Sequence, residues 1–414
     1  SREDLLEHSD EELAQVLVEH KEHRQGLMEA WRNVVTQSPE RSLDVLGHID
    51  EVSDVPSDIW EEALRGMSET DFKVGVHSRF LRLINERSDK DLQRAVHPAS
   101  RFAEYIAPGV DPSDRDAYLS YWDWLFPLAR DKEIRDGQDC VQIAINHPLG
   151  KLAGSLMRRA RADVGDGSAS LKADLRNRAE KLLSLEEAGG IVTAIVCSRL
   201  SFLFSIAPEW TEEHVIPRLR WENGDPGVAK CGWQGYLRGA SIGPSLWPKI
   251  KPHYLDTLDH LDQFTDQNIR NLAQLLAIVS IEFPEGLDTD EARACLRSLG
   301  SVGRVAVARW VGSRLDGAGE RAPTLWREEI SPWIQEAWPP ENPYHGTQES
   351  IALSRAAINA GEAFPDAVDD VRPFLVSVDR IGHVVHPLLE EGFPQRHPQS
   401  SLHLLNELID ENTI

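Results

Sequence analysis

The amino-acid sequence predicts an all-α protein, an irregular HEAT- or armadillo-like solenoid of helical hairpins. Apolar residues recur at the i, i+3, i+4 spacing of a helix face, and clean two-residue alternation is scarce. An apolar residue followed by proline also recurs at intervals of roughly 40 residues, the length of one helical hairpin in such arrays. The hydrophobic fraction of 41% is sufficient for a packed core.

The first predicted helix covers Glu11–Val18 and places Leu13 and Leu17 on one face. Ser9 and Glu12 have the spacing of a capping box at its start. The segment 302–311 alternates briefly, yet its alanine and arginine content fits a helix equally well. The helical spacing returns in the segments 269–281 and 401–409.

The recurring prolines mark predicted helix starts, because proline disfavours helix at the residue before it and fits the first helical turn. Successive prolines of the series lie 29 to 42 residues apart, which leaves room for two helices per unit. The series consists of Ala207-Pro208, Trp247-Pro248, Phe283-Pro284, Ala322-Pro323, Phe364-Pro365 and Phe393-Pro394, with Val55-Pro56 as an N-terminal counterpart.

One segment of low complexity, Ala162–Ser170, is rich in glycine and serine and predicts an exposed loop or hinge. We therefore expect an N-terminal helical segment over residues 1–165 and C-terminal helical repeats over residues 166–414. The alternative is one continuous solenoid with a long loop at this point.

The chain carries 44 basic and 68 acidic side chains, a formal net charge of −24. This balance disfavours sequence-independent binding of nucleic acid, which needs cations to displace counterions from phosphates. No apolar run approaches the 18 residues of a membrane span, so we expect no membrane segment. The first residue, Ser1, is not methionine, and we expect a fragment of a longer protein.

The four cysteines are widely spaced and form no CxxC pair, so neither a zinc ribbon nor a redox motif is predicted. We expect small core residues with free thiols and a cytoplasmic location. The four are Cys140, Cys197, Cys231 and Cys295.

The segment Gly239–Gly243 matches the G-x-S-x-G pattern of a hydrolase nucleophile, with Ser241 at its centre. That pattern forms a nucleophile only on a sharp turn between a strand and a helix. The preceding residues 232–238 do not have a strand pattern, which favours a glycine-rich turn between helices. A serine hydrolase using Ser241 stays as an alternative function.

Other chemical motifs are weak. His383 and His386 have a helical spacing, but no HExxH motif or third ligand accompanies them, so no metal site is predicted. No phosphate-binding glycine loop is present, and we predict no cofactor and no catalytic residue. Arg158, Arg159 and Arg161 form a basic trio that favours a helix end, with a nucleic-acid-binding helical repeat as the alternative.

Twelve tryptophans are a large number for this length, and most are expected to pack between helices. Tryptophan is also favoured as an anchor at protein interfaces. Two clusters are therefore candidate partner-binding residues: Trp122, Trp124, Trp326, Trp333 and Trp338.

Several phrases carry a resemblance to a known family. They are Ile145–Leu152 (INHPLGKL), Trp233–Leu237 (WQGYL) followed by Lys251–Leu255 (KPHYL), Pro332-Trp333 with Trp338-Pro339, and Phe364–Val368 (FPDAV). Together they resemble the long helical C-terminal regions of large bacterial antiphage defence proteins, notably those with an N-terminal sirtuin-like NADase module. The resemblance touches residues 140–410 in patches.

The resemblance implies a sensor: the helical region would bind an invader protein and control a separate NAD-cleaving or nucleolytic effector domain. We therefore expect a non-catalytic recognition module of bacterial immunity, with a phage component as its protein partner and the effector in a longer parent chain.

Overall fold

The computed structural model describes residues 5, 7–20, 23–49, 56–71, 74–86, 93–134, 137, 139–186, 188–222, 225–239, 241–283 and 285–409. Within these residues every regular element is a helix, so the predicted all-α class is confirmed. The chain forms two compact units, which consist of Ser1–Arg218 with Asp225–Tyr236 and of Leu219–Gly224 with Leu237–Ile414.

The first unit contains fourteen of the described helices. They are α1 (Asp10–Glu19), α2 (Arg24–Gln37), α3 (Pro39–Ile49), α4 (Ser57–Met67), α5 (Val74–Asn85), α6 (Val96–Ile106), α7 (Arg115–Arg130), α8 (Cys140–Asn146), α9 (Pro148–Gly165), α10 (Ala173–Leu183), α11 (Gly189–Cys197), α12 (Leu200–Ile206), α13 (Pro208–His214) and α14 (Pro226–Arg238), whose last turn lies beyond the unit.

These helices stack in two layers. Helices α1, α3, α5 and α7 contact one another in succession, as do α2, α4, α6, α9 and α11. Contacts between α2 and α3, α6 and α7, and α9 and α10 join the layers. This is the packing of a helical-hairpin solenoid, in which each hairpin buries its apolar face against its neighbours.

Local sequence signals explain where the helices begin. Ser9 and Glu12 form the predicted capping box of α1, and Leu13 and Leu17 are fully buried on its apolar face. Pro208 begins α13 as predicted, whereas Val55 and Pro284 of the proline series lie outside the described residues.

Two glycines permit close approach of helix backbones in this unit. A Cβ atom at Gly235 would overlap the carbonyl group of Ala194, and one at Gly150 would overlap that of Ala144. Both glycines belong to the phrases that carry the family resemblance, which therefore mark packing positions.

A buried ionic cluster crosses the predicted boundary at residue 165. Asp163 is 4% exposed at its side chain and accepts hydrogen bonds from Arg115 (2.9 Å), Arg159 (3.0 Å) and Lys172 (3.0 Å). Arg115 also pairs with Asp174 at 2.7 Å. The loop after α9 thus belongs to the first unit. The compact units divide the chain after Arg218 and after Tyr236 instead.

The expectation of four free thiols is wrong for two cysteines, because Cys140 and Cys231 form a disulfide. They are 91 residues apart in sequence, and the packing of α8 and α14 within the unit brings them together, so their spacing carries no signal. Cys197 and Cys295 are free and buried as expected. Burial raises the pKa of each of these two thiols to about 12.

The second unit contains the remaining described helices. They are α15 (Trp247–Thr257), α16 (Asp266–Ile281), α17 (Thr289–Ser298), α18 (Gly300–Ala318), α19 (Ala322–Leu325), α20 (Ser331–Ala337), α21 (Thr347–Ile358), α22 (Phe364–Val371), α23 (Gly382–Glu390), α24 (Phe393–Arg396) and α25 (Pro398–Leu408). A π-helical turn, Trp326–Ile330, joins α19 to α20.

Two layers also form here. Helices α16, α18, α21 and α23 contact one another in succession, as do α17, α20, α22 and α25. The described prolines of the predicted series each lie in the first turn of a helix in this unit. They are Pro248, Pro323, Pro365 and Pro394.

In the part of the chain that the structure describes, no single helix has both the length and the apolar character needed to cross a membrane. Helices α11 and α12 reach these values only as a pair, across a bend of 70°.

We expect reduction of the disulfide between Cys140 and Cys231 to lower the free energy of unfolding. Replacing Cys140 by Ser removes a cross-link across a long loop and is expected to lower the free energy of unfolding by about 2–4 kcal/mol. Thermal unfolding followed by circular dichroism checks this. The double variant C140S/C231S is the control: a reductant should lower the midpoint of the wild type and leave that of the double variant unchanged. An equal response of both proteins would contradict the prediction.

We expect the stability of the folded state to depend on pH through His147. Its Nδ1 accepts a hydrogen bond from the Leu149 N–H (3.2 Å) at the start of α9, and burial lowers the pKa of this imidazole. Because the folded state favours the neutral ring, this stabilisation is present above the unfolded pKa of about 6.5 and is lost as the pH falls below it.

We expect His147→Asn, which keeps a cap acceptor without a titrating ring, to reduce the decrease in the unfolding midpoint between neutral and mildly acidic pH. Thermal unfolding of both proteins across that range is the measurement. Identical pH profiles would show that His147 does not contribute.

Candidate partner-binding surface

A groove lies on one face of the second unit, where α16, α18 and α21 lie side by side. It consists of two adjoining hollows of about 320 and 290 Å³ that share Arg309 and Ser313 of α18. We call this surface the arginine groove and define it by the residues Arg270, Gln274, Arg309, Trp310, Gln348 and Arg355.

The sequence of α18 explains why the groove exists. A helix that is apolar on most sides must be covered on most sides. Val307, Val311 and Leu315 are buried, while Arg309 and Ser313 form an exposed strip one turn long. In the central turns of α18 the neighbouring helices therefore leave this strip exposed, and it lies between the two hollows; Arg314, Asp316 and Gly317 near the C-terminal end of the helix are exposed as well.

The groove is basic within a strongly acidic chain. Its lining includes no aspartate or glutamate among the residues that the structure describes. Arg309 and Arg355 are exposed and form no ion pair with a described carboxylate. Arg270 has a distant partner, Asp266, at 3.7 Å. Two of the three guanidinium groups are therefore available to an anionic ligand.

Neutral polar groups and one aromatic ring complete the lining. The side chains of Gln274 and Gln348 are exposed and hydrogen-bond to no residue within the described ranges. The amide of Asn359 donates to the Gly312 carbonyl at 3.0 Å and so links α21 to α18. The ring of Trp310 is half-buried and presents part of its surface to the hollow.

A buried ion pair holds the two helices that carry Arg309 and Arg355. Arg304 of α18 and Glu349 of α21 approach to 3.2 Å, with side chains 6% and 2% exposed. Arg304 also donates to the Leu296 carbonyl (3.2 Å), and its guanidinium lies 5.4 Å from the ring centroid of Tyr344. These contacts offset part of the desolvation of the charges, and the buried Nε of Arg304 has no hydrogen-bond partner among the described residues.

Most of the tryptophans proposed as partner anchors are buried. Trp122, Trp326 and Trp338 are at most 1% exposed, and Trp333 is 9% exposed. Such buried side chains are not accessible to a partner, so the prediction that these four bind a partner is wrong. They are core residues between helices. Trp122 donates to the Leu152 carbonyl (3.2 Å) and Trp326 to a carboxylate of Asp370 (2.9 Å).

Trp124 differs from the other four. It is half-buried, and its ring stacks at 6.0 Å between centroids on that of Tyr121. Part of its surface remains accessible, so contact of Trp124 with a partner stays a prediction.

Ser241 does not occupy a nucleophile turn. The segment before it is the helix α14, not a strand, and Ala240 of the motif lies outside the described residues. The strained strand-to-helix geometry that exposes a nucleophilic serine is therefore absent from the described residues around it.

Three of the histidine and arginine candidates, Arg158, Arg159 and His386, have structural partners. His386 is exposed and lies 3.1 Å from Glu390, and no group of three metal ligands occurs among the described residues. Arg159 is buried in the ionic cluster, and Arg158 pairs with Glu104 at 3.3 Å.

The reasoning from sequence missed the arginine groove. A usable signal was the composition of α18, in which Arg309 interrupts an almost continuous apolar segment without an acidic residue three or four positions away. Its neighbours Arg270 and Arg355 are about 40 residues distant on either side, so only the stacking of helices brings the three together.

No family model matches the chain. It is 24% identical over 352 residues to the uncharacterized protein y4cA of Sinorhizobium fredii (strain NBRC 101917 / NGR234), a match that covers 78% of this chain and 27% of that protein. The chain thus spans about a quarter of the length of this curated relative.

Among solved structures, the chain is similar to a circular tandem repeat protein with novel repeat topology and enhanced subunit contact surfaces. The sequence identity is 14% and the TM-score is 0.32, with 98% of this chain and 86% of the other covered.

The buried ion pair predicts a large stability effect. Glu349→Gln leaves the charge of Arg304 buried and uncompensated and is expected to lower the free energy of unfolding by about 3–5 kcal/mol. The matched control is Asp366→Asn, which breaks the exposed pair with Arg327 and should cost at most about 1 kcal/mol. Urea denaturation of both variants checks this, and equal effects would contradict it.

Proposed function

We propose that this chain is a non-catalytic protein-recognition module, the sensor part of a longer bacterial antiphage defence protein. In this proposal it binds an invader protein in the cytoplasm and thereby controls a separate effector domain. The observation that carries the proposal is the arginine groove, an exposed surface in which Arg309 and Arg355 form no ion pair with the described carboxylates.

The lining of the groove supports recognition. Its arginines, amides and single tryptophan are groups that bind and orient a partner through charge, hydrogen bonds and apolar contact. The alternative of a serine hydrolase has less support, because a helix precedes Ser241 where the mechanism needs a strand.

The helical hairpins support the same interpretation. Stacked hairpins produce extended surfaces that many repeat proteins use to bind other proteins. The family resemblance adds the invader protein and the effector domain to the proposal. Because this chain spans 27% of the curated relative y4cA, a parent protein with further parts is part of the proposal as well.

The disulfide bears on the cytoplasmic part of the proposal. Disulfides are rare in reducing compartments, yet Cys140 and Cys231 are each only 7% exposed. Thiol–disulfide exchange requires access of the attacking thiolate. Because burial restricts this access, the bond, once formed, is protected from reduction in the cytoplasm.

A capture experiment tests the proposed function. The tagged chain is incubated with lysates of phage-infected and of uninfected bacteria, and retained proteins are identified by mass spectrometry. We expect a phage-encoded protein to be retained by the wild type and to fall about ten-fold or more with R309E/R355E, because reversing these charges repels the partner.

The matched control is R321E/R380E, an equal charge reversal at two exposed arginines of the same unit outside the groove. This variant should retain the phage-encoded protein like the wild type. Retention of no phage-encoded protein from infected cells would refute the proposal.

A further inference from the structure

The groove has a geometry that specifies its ligand more closely than the proposed function does. One arginine comes from each of three successive helices, Arg270 from α16, Arg309 from α18 and Arg355 from α21. The axes of packed helices lie about 8–10 Å apart, so the three backbones that carry these arginines follow one another at about that interval across the groove.

A polyproline II chain matches this interval. It has three residues per turn and a rise of about 3.1 Å per residue, so every third side chain points the same way, about 9 Å from the last. An extended β-strand points every second residue the same way, about 7 Å apart, which fits the helix spacing less well. A carboxylate at every third residue of a polyproline II segment would meet the three arginines in succession.

The remaining groups of the groove suit such a segment. A polyproline II chain makes no internal hydrogen bonds, so its backbone carbonyls are free to accept from the amides of Gln274 and Gln348. Trp310, which is half-buried beside Arg309, offers an aromatic surface against which proline rings pack.

The charge distribution favours a peptide over a nucleic acid. Nucleic acids carry a phosphate at every nucleotide, and binding them requires many cations along the contact. The groove supplies three arginines, one with Asp266 nearby, in a chain whose net charge is −24. The overall charge repels a long polyanion, whereas a short segment with a few carboxylates is matched by the local cations.

We propose that the arginine groove binds a polyproline II segment of a partner protein that carries a carboxylate at every third residue. The inference rests on the proposed function, because it names the kind of segment that the recognition module takes from its partner.

Fluorescence anisotropy with labelled peptides tests the proposal on the complete chain. The probe is a peptide of four Glu-Pro-Pro repeats. The first comparison peptide has Gln at each Glu position, and the second has the same composition with the four glutamates together before the prolines. We expect the repeat peptide to bind about ten-fold or more tightly than either, and added salt to weaken its binding.

Variants of the chain locate the site. Arg309→Gln and Arg355→Gln remove a charge without adding one and should each weaken binding of the repeat peptide about ten-fold. Arg321→Gln, at an exposed arginine outside the groove, should leave the Kd unchanged. Circular dichroism of each variant confirms that the helical content is retained.

Several outcomes would overturn the proposal: no binding of the repeat peptide, equal binding of the Gln peptide, equal binding of the clustered peptide, or no effect of the groove variants. Displacement of the peptide by an equal concentration of a single-stranded oligothymidylate would overturn it in favour of nucleic acid. If the peptides fail while a phage-encoded protein is still captured from infected cells, the proposed function stands and only this inference falls. If the repeat peptide binds and no phage-encoded protein is captured, the groove's preference for this kind of segment stands and the proposed function falls.

Discussion

Each helical hairpin of this protein has too little apolar surface on its own to form a core, and this constraint shapes both units. A hairpin gains its core only from the hairpins before and after it. The central turns of helix α18 show the consequence most directly, because every residue from Gly303 to Ala308 is buried between neighbouring helices while Arg309 is exposed. What stays exposed on such a helix is a narrow strip, and any recognition surface must be assembled from the strips of several neighbours.

The buried ion pair between Arg304 and Glu349 fixes how those strips are aligned. Residues on a helix advance by about 100° each, so Arg304 and Arg309 differ in direction by about 140°. Arg304 faces Glu349 in the interior, and Arg309 faces the solvent. On α21, Glu349 and Arg355 are six residues apart and differ in direction by about 120°. One desolvated contact thus sets the orientation of two exposed cations.

Local features of this structure could be predicted from the sequence, and features that depend on distant residues could not. The cap at Ser9 depends on a neighbour three residues away, which the sequence shows directly. The burial of Trp326 depends on helices far along the chain, and composition cannot distinguish a core tryptophan from an exposed one. The pairing of Cys140 with Cys231 and the grouping of cations around Arg309 likewise arise only when the hairpins stack.

A stack of hairpins responds to pulling like a spring, since contacts run mainly between neighbours and can open one at a time. The disulfide interrupts this compliance. It closes 91 residues of chain, which when fully extended would span about 300 Å. Under tension applied to the chain ends, the segment between Cys140 and Cys231 bears no load, and its helices keep the contacts that they make with one another while the rest of the chain lengthens. Mechanical extension of the first unit is therefore confined to the residues outside this loop.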